Sequence, residues 1–519
     1  MKFFDRIKKE GFLGVAPDEF KVTIAAFAYI FFVICSYYVM KPIRGSLGME
    51  LGKDNIPVLS FLSMLVLIVS NALYSLIVGW YKRDVFIPFI TRFFVVCIIA
   101  FWAIFSFVYP VEQKNETNKN IAGKEVLPAE EMVVHSAQIS EIPESNIKDS
   151  VSASNSAELN DSTELFHGRE ATVPGSITGE QHQTNVFVYA QYVKIAAMAI
   201  FYLWVGVFAL FAVTMFWSFM NDIFSVDQSK RLYAIIGYGG LLGGAVGSWL
   251  TSLLVPVLGT ANLLLVACAL LYPSVWCMKF IHGVHEEKMN GLALQPVHEE
   301  PAHPPRPWDG FLTVYRARIL IFMALEMMLF TFTGTLFYQQ LYEMINQTFA
   351  GNVDATTSFF ADFFGYITIL SLVSQFFLTK LLMMLPNPVA GLLIFPVLQL
   401  VASSLMLYSP SLTVVSWGLI LISAINYSTG RALRELVYIP LDREQKYQGK
   451  GFIDTVVFRV GDGFSSIILI AGLRFLHYGQ WLDWTILAAM AFQFYVIIKI
   501  VWLYAENLKV AGRSSTAVA

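Results

Sequence analysis

Twelve stretches of the chain are each long and apolar enough to cross a bilayer, and nothing else in the sequence constrains the fold as strongly. A helical crossing takes about 20 apolar residues, because roughly 30 Å of hydrocarbon is spanned at about 1.5 Å per residue. The stretches are 22–48, 56–79, 85–109, 187–219, 232–257, 260–281, 319–345, 357–380, 388–408, 412–438, 451–476 and 482–504. Hydrocarbon offers no water to backbone amides, so segments of this kind are helices. Composition agrees: 56% of residues are hydrophobic and 14% charged, against about a quarter charged in soluble chains. The expected class is an all-α membrane protein with twelve transmembrane helices.

Six stretches precede the hydrophilic segment 284–317 and six follow it. That layout is the one of two-bundle secondary transporters. It predicts a first six-helix bundle over 1–283, a cytoplasmic linker over 284–317 and a second bundle over 318–519, a major-facilitator-like arrangement. With the N-terminus inside, twenty Lys and Arg fall on inner segments, and only Lys53 and Arg474 on short outer loops. Both termini are then expected in the cytoplasm, with the chain in the cell inner membrane. The first 21 residues hold five Lys/Arg and lead into a span too long for a signal-peptide core, so no cleavable leader is expected. Segment 111–185 carries 13 acidic and 5 basic residues and no apolar periodicity. It cannot bury a core and is expected as a disordered outer loop.

The four cysteines lie in apolar runs without a C-x-x-C pair and are expected as small core hydrophobes. His282, His285, His298 and His303 cluster in the linker without a zinc spacing. No histidine lies mid-span and no nucleophile–base motif is present, so an enzyme is not expected. No cofactor and no nucleic-acid partner is expected; the partners are the lipid bilayer and a small anionic solute, and the chain is expected as a monomer.

Charges inside spans are costly unless paired, hydrated or used. In the first span Tyr37, Lys41, Arg44 and Gly48 recur at i, i+4, i+7 and i+11, so they share a face. Pro42, which removes a backbone donor, sits among them. The pattern suits an anion site beside a helix break; cations snorkelling to the interface is the alternative. In the tenth span Tyr427, Arg431, Arg434 and Tyr438 repeat that spacing. Glu435 stands four residues after Arg431 and can neutralise one arginine. In the eleventh span Asp454, Arg459 and Asp462 alternate in sign. They suit either substrate contact or a structural ion-pair network, and the flanking of Arg459 by opposite charges favours the network. Glu326 is a further candidate for coupling or ion pairing. Tyr338 and Gln339, in "FYQQLYE", suit a planar hydrogen-bonding ligand, while Tyr342 is expected in the interfacial aromatic belt. In the fifth span Gly239, Gly243 and Gly247 form one small-x-x-x-small series, and Gly240, Gly244 and Ser248 another. Close helix packing explains both; with no Lys-Ser/Thr following, a phosphate loop does not.

Three stretches together carry a resemblance: "MKPIRGSL", "FWSFMNDIFSVDQSKRLYAIIGYGGLLGGAVGS" and "RELVYIPLDREQKYQGKGFIDTVV". The chain resembles the ATP/ADP translocase family of bacterial and plastidic nucleotide transporters. The resemblance implies a major-facilitator-like fold and exchange of nucleotides by alternating access. It also implies roles for Lys41 and Arg44, for Arg434 with Glu435 (arginine standing where the family has lysine), and for Asp454. It further implies that Arg434 and Glu435 face the central cavity. The chain departs from the family pattern at Val205, where nucleotide exchangers carry glutamate, and at "FRVGDG" after Asp454. The alternative is a proton-coupled carrier of another metabolite, with Glu326, Glu435, Asp454 or Asp462 as the proton site.

Overall fold

In this computed structural model the described residues are 15–16, 19–80, 86–106, 177–292, 309–442, 445–476, 479 and 481–517. Among them every long element is a helix, and eleven helical runs are long and apolar enough to cross a membrane. One run, Arg231–Glu287, has 57 residues. Straight, it would measure about 85 Å, far more than a bilayer core. It breaks at Gly259, whose φ of 73° is open to a residue without Cβ, three residues after Pro256. The break turns one run into two crossings, and the twelve expected crossings follow. We label them α1 (Phe20–Glu50), α2 (Ile56–Trp80), α3 (Phe86–Ser106), α4 (Ile177–Ile223), α5 (226–258) and α6 (260–292). The second six are α7 (Arg318–Phe349), α8 (Val353–Met383), α9 (Pro388–Tyr408), α10 (Leu412–Tyr438), α11 (Lys450–Phe475) and α12 (Trp481–Ala517).

The chain divides into two compact units, Ile104–Lys194 on the one hand and Met1–Ala103 with Ile195–Ala519 on the other. In the first, residues 107–176 lie outside the described residues, which includes most of the expected outer loop, and the chain is helical from Ile177. Of the expected linker 284–317, residues 293–308 lie outside the described residues. The helix that ends the first half runs to Leu292, and Asp309–Arg316 is a short amphipathic helix before α7. His298 and His303 fall outside the described residues.

Within the larger unit, α1 and α5 pack at backbone contact. A Cβ at Gly239, Gly243 or Gly247 would strike the carbonyl oxygens of Phe27, Phe31 and Cys35 respectively. The second small-residue series turns from α1 toward α8: Gly240 looks onto Ile30 and Ile34 of α1, Gly244 onto both Tyr38 of α1 and Thr368 of α8, and Ser248 onto Gly365 of α8. One helix thus offers two smooth ridges, to α1 and to α8, as close packing in lipid requires. Aromatic edges fill the seam of α3 and α4, with Phe94 against Phe208 and Phe101 against Phe201, both at 5.1 Å between centroids. In the second half Met323, Phe395, Leu433 and Ile497 build a core among α7, α9, α10 and α12. Phe89, Trp249, Val257 and Trp502 are exposed, as a lipid-solvated surface requires. The four cysteines are free.

The two halves are tied where α1 ends and α8 begins. Lys53, just before α2, donates to Glu343 of α7 at 2.5 Å. The Thr260 amide and hydroxyl donate to Asp354 Oδ1 at 2.8 and 2.6 Å. Thr357 continues the chain by donating to Ser46 of α1 at 2.6 Å.

Candidate functional site

A cavity of about 490 Å³ lies between the halves, walled by α1, α2 and α4 on one side and α7 and α11 on the other. Its volume is in the range of small-molecule sites. Tyr37 and Arg44 reach it from α1, two turns apart on one face as their spacing requires. α1 runs unbroken through Pro42, so the expected helix break is absent and Arg44 is held by a continuous helix. The Arg44 guanidinium lies over the Tyr202 ring at 4.1 Å, a cation–π contact. Its buried Nε has no hydrogen-bond partner among the described residues. Arg459 and Asp462 enter from α11 as an ion pair at 3.9 Å. Arg44, Arg459 and Asp462 are within electrostatic reach of one another. Among the described residues the cavity therefore holds two cations, one from each half, and one carboxylate.

The α7 wall carries Tyr338, Gln339 and Tyr342. Tyr342 is a cavity residue rather than part of an interfacial belt: its ring packs on Phe360 and lies 6.1 Å from that of Tyr338. Gln339 is 1% exposed, and its Nε2 has no partner among the described residues.

A second cavity, of about 770 Å³, lies toward the other helix ends and shares Tyr37 with the first. Arg431, Glu435, Gln375 and Tyr427 line it, with Trp217 and Tyr233 opposite. Glu435 pairs with Lys450, at 2.6 and 2.7 Å, rather than with Arg431 as its spacing suggested. The lysine is the first residue of α11, which brings it back across the α10–α11 turn onto the carboxylate.

The structure corrects the expected placement of Arg434, Glu326, Lys41 and the Asp454–Arg459–Asp462 trio. Arg434 lines neither cavity. It donates to Asn426, and its Nη1 lies 3.7 Å from Glu326 of α7. The reason is local: Asn426–Gly430 is an i→i+5 turn, which inserts a residue and rotates the helix beyond it. Arg434 then meets α7 inside the second half while Arg431 meets the cavity. Glu326 is fully buried, lines neither cavity, and neither of its oxygens has a hydrogen-bond partner among the described residues. The acidic–basic trio of α11 does not form. Asp454 is exposed on a second i→i+5 turn, Ile453–Val457, with no ion pair among the described residues, while Arg459 and Asp462 remain together further along. Lys41 also lines neither cavity; its Nζ sits 3.8 Å from the Phe364 ring and 5.0 Å from that of Tyr38, and no carboxylate pairs with it among the described residues. Tyr202, which orients Arg44, had no distinguishing signal in an aromatic-rich span.

In overall fold the chain is similar to a D-xylose–proton symporter, with a TM-score of 0.52 over 91% of this chain and 97% of that one at 10% identity. The fold is therefore major-facilitator-like, two six-helix bundles in a multi-pass membrane protein. In sequence it is similar to ADP,ATP carrier protein 1 of Chlamydia trachomatis, 24% identical over 289 residues, and of Chlamydia muridarum, 23% identical over the same length. These matches take in 49% of this chain and 54% of each carrier, so the chain spans about half the length of the curated relatives it matches. Residues 162–264 and 348–509, just over half of the chain, match the TLC ATP/ADP transporter family, and the chain belongs to that family.

Proposed function

We propose that the protein is a secondary transporter that exchanges nucleotides across the cell inner membrane by alternating access, rather than an enzyme. The observation that carries the reading is the cavity between the halves. Arg44 of α1 and Arg459 of α11 face it, with one carboxylate for two cations and an unfilled donor on Arg44. A polyanion there replaces lost hydration with charge-assisted hydrogen bonds and joins both halves. A loaded carrier can then close over its substrate, whereas an empty one keeps two like charges apart. The moving bodies are 1–283 and 318–519, joined by 284–317, with both termini in the cytoplasm and one chain as the working unit. Lys41, without a carboxylate, is a third candidate cation; Arg431 and Glu435 line the path on the other side of Tyr37. Relatives named as ADP,ATP carriers support nucleotides as the anion.

The test is uptake of labelled nucleoside di- and triphosphates into proteoliposomes. Exchange requires unlabelled nucleotide inside; uptake of equal rate into empty vesicles rejects it. One observation favours a second reading, proton-coupled transport: Glu326 is a wholly buried carboxylate inside a span, 3.7 Å from Arg434 and without a hydrogen-bond partner among the described residues, and intramembrane carboxylates serve as proton relays in transporters. In that case a pH gradient, not internal nucleotide, drives uptake.

A further inference from the structure

Gln339 is a polar group of the cavity between the halves that the ion pair and the cation–π contact leave unexplained. It is 1% exposed, yet it lines the cavity, and its amide nitrogen has no partner among the described residues. A buried amide left without partners is destabilising, and a site built around one recognises a ligand that completes it. Its neighbours on α7 define the ligand's shape. Tyr338 and Tyr342, one turn apart on the same helix, bring two rings to the same cavity, 36° from parallel. Flat faces beside an amide suit a planar heterocycle. The cationic groups, Arg44 and Arg459, belong to α1 and α11, so the aromatic and amide wall is distinct from them.

We propose that Gln339 is the base-reading residue of this transporter, with Tyr338 and Tyr342 as its stacking surface; this rests on the nucleotide reading above. An amide presents a donor beside an acceptor. It pairs in bidentate fashion with a base edge that offers an acceptor next to an amino donor, as adenine does. Guanine's ring N–H and exocyclic amine form two adjacent donors, an edge that a carboxylate, not an amide, satisfies. Gln339 therefore meets adenine's edge in full; guanine offers an amide its O6 and ring N–H but leaves its amine unmet, and the isosteric acid, which takes both guanine donors and only one from adenine, shifts the preference toward guanine.

The experiment measures binding of adenosine diphosphate, guanosine diphosphate and inorganic pyrophosphate to purified wild type, Gln339→Leu and Gln339→Glu, with thermal stability recorded on each. Gln339→Leu removes the advantage of adenosine diphosphate over pyrophosphate, a loss on the order of tenfold to a hundredfold. Gln339→Glu weakens all three anions by repulsion but raises the guanosine-to-adenosine affinity ratio, by about tenfold. Pyrophosphate binding by the leucine variant, unchanged from wild type, shows that the fold and the cationic groups are intact. Ratios unchanged in both variants overturn the assignment of Gln339 while leaving nucleotide binding standing. Absence of nucleotide binding in the wild type overturns the transport reading instead, and the inference with it. If neither variant is stable, Gln339→Asn, which keeps the amide but withdraws it by one methylene, is predicted to lower adenosine diphosphate affinity without moving that of pyrophosphate. Equal effects on both overturn the inference.

Discussion

Arg434 and Glu326 form an ion pair inside the second half, with the carboxylate fully buried and the separation a loose 3.7 Å. Removing one partner leaves a charge in low dielectric, which costs about 3–5 kcal/mol. Arg434→Ala is expected to lower thermal stability strongly, and Glu326→Leu with Arg434→Met to restore most of it. Scanning fluorimetry in detergent measures both, and a stable Arg434→Ala protein would count against the pair as a structural element. Arg459 behaves differently. It is about a third exposed and shares a cavity with its partner, so Arg459→Ala is expected to fold normally and to bind the anion more weakly. At the membrane boundary, burial pushes the Glu19 carboxyl up, but hydrogen bonds from Arg231 and Gln228 outweigh it and hold the group below its ordinary value of 4.5. Because the folded value is depressed, the contribution is complete above the unfolded value and is lost as pH falls through the folded one. Melting temperature between pH 6 and pH 3 should therefore drop less steeply in Glu19→Gln than in wild type.

At the scale of elements, α1 and α5 depend on three glycines set four residues apart. Gly243→Leu would drive a side chain into the Phe31 carbonyl, and overpacking costs about 1–3 kcal/mol or more. Gly334→Ala is the control, since a Cβ there meets nothing within 4 Å, and a helical Gly→Ala gains up to about 1 kcal/mol. Comparable losses in the two variants would contradict the packing account. These elements were legible in the sequence because lipid leaves a crossing no choice but an apolar helix, and small-residue spacing has one mechanical use. The Tyr37–Arg44 face was legible for the same reason, a fixed period on an unbroken helix. Arg434 was not. Its direction depends on an i→i+5 turn at Asn426–Gly430 and on a carboxylate from α7, and neither local spacing nor composition encodes such a turn. Asp454 escaped for the same cause, as its own turn separates it from Arg459.

Over the whole molecule, the ties Lys53–Glu343 and Asp354–Thr260 join the two halves at one set of helix ends. Glu343→Gln combined with Asp354→Asn should favour opening there. A cysteine in place of Ser63, a buried cavity residue, would then react several-fold faster with an impermeant thiol reagent, on a background lacking the native cysteines. Unchanged reactivity would mean the ties do not hold that end shut.

On the proposed function, one anion bridges Arg44 of the first half and Arg459 of the second. Calorimetric titration of a nucleoside diphosphate into wild type, Arg44→Ala, Arg459→Ala and the double variant tests it most directly. Each single variant is predicted to lose about 1.5–3 kcal/mol of binding, the worth of a charge-assisted contact. The double variant is predicted to lose less than the sum of the two, because an anion freed from either half no longer joins them. Wild-type affinity in both single variants, with the ligand still bound, would contradict the claim.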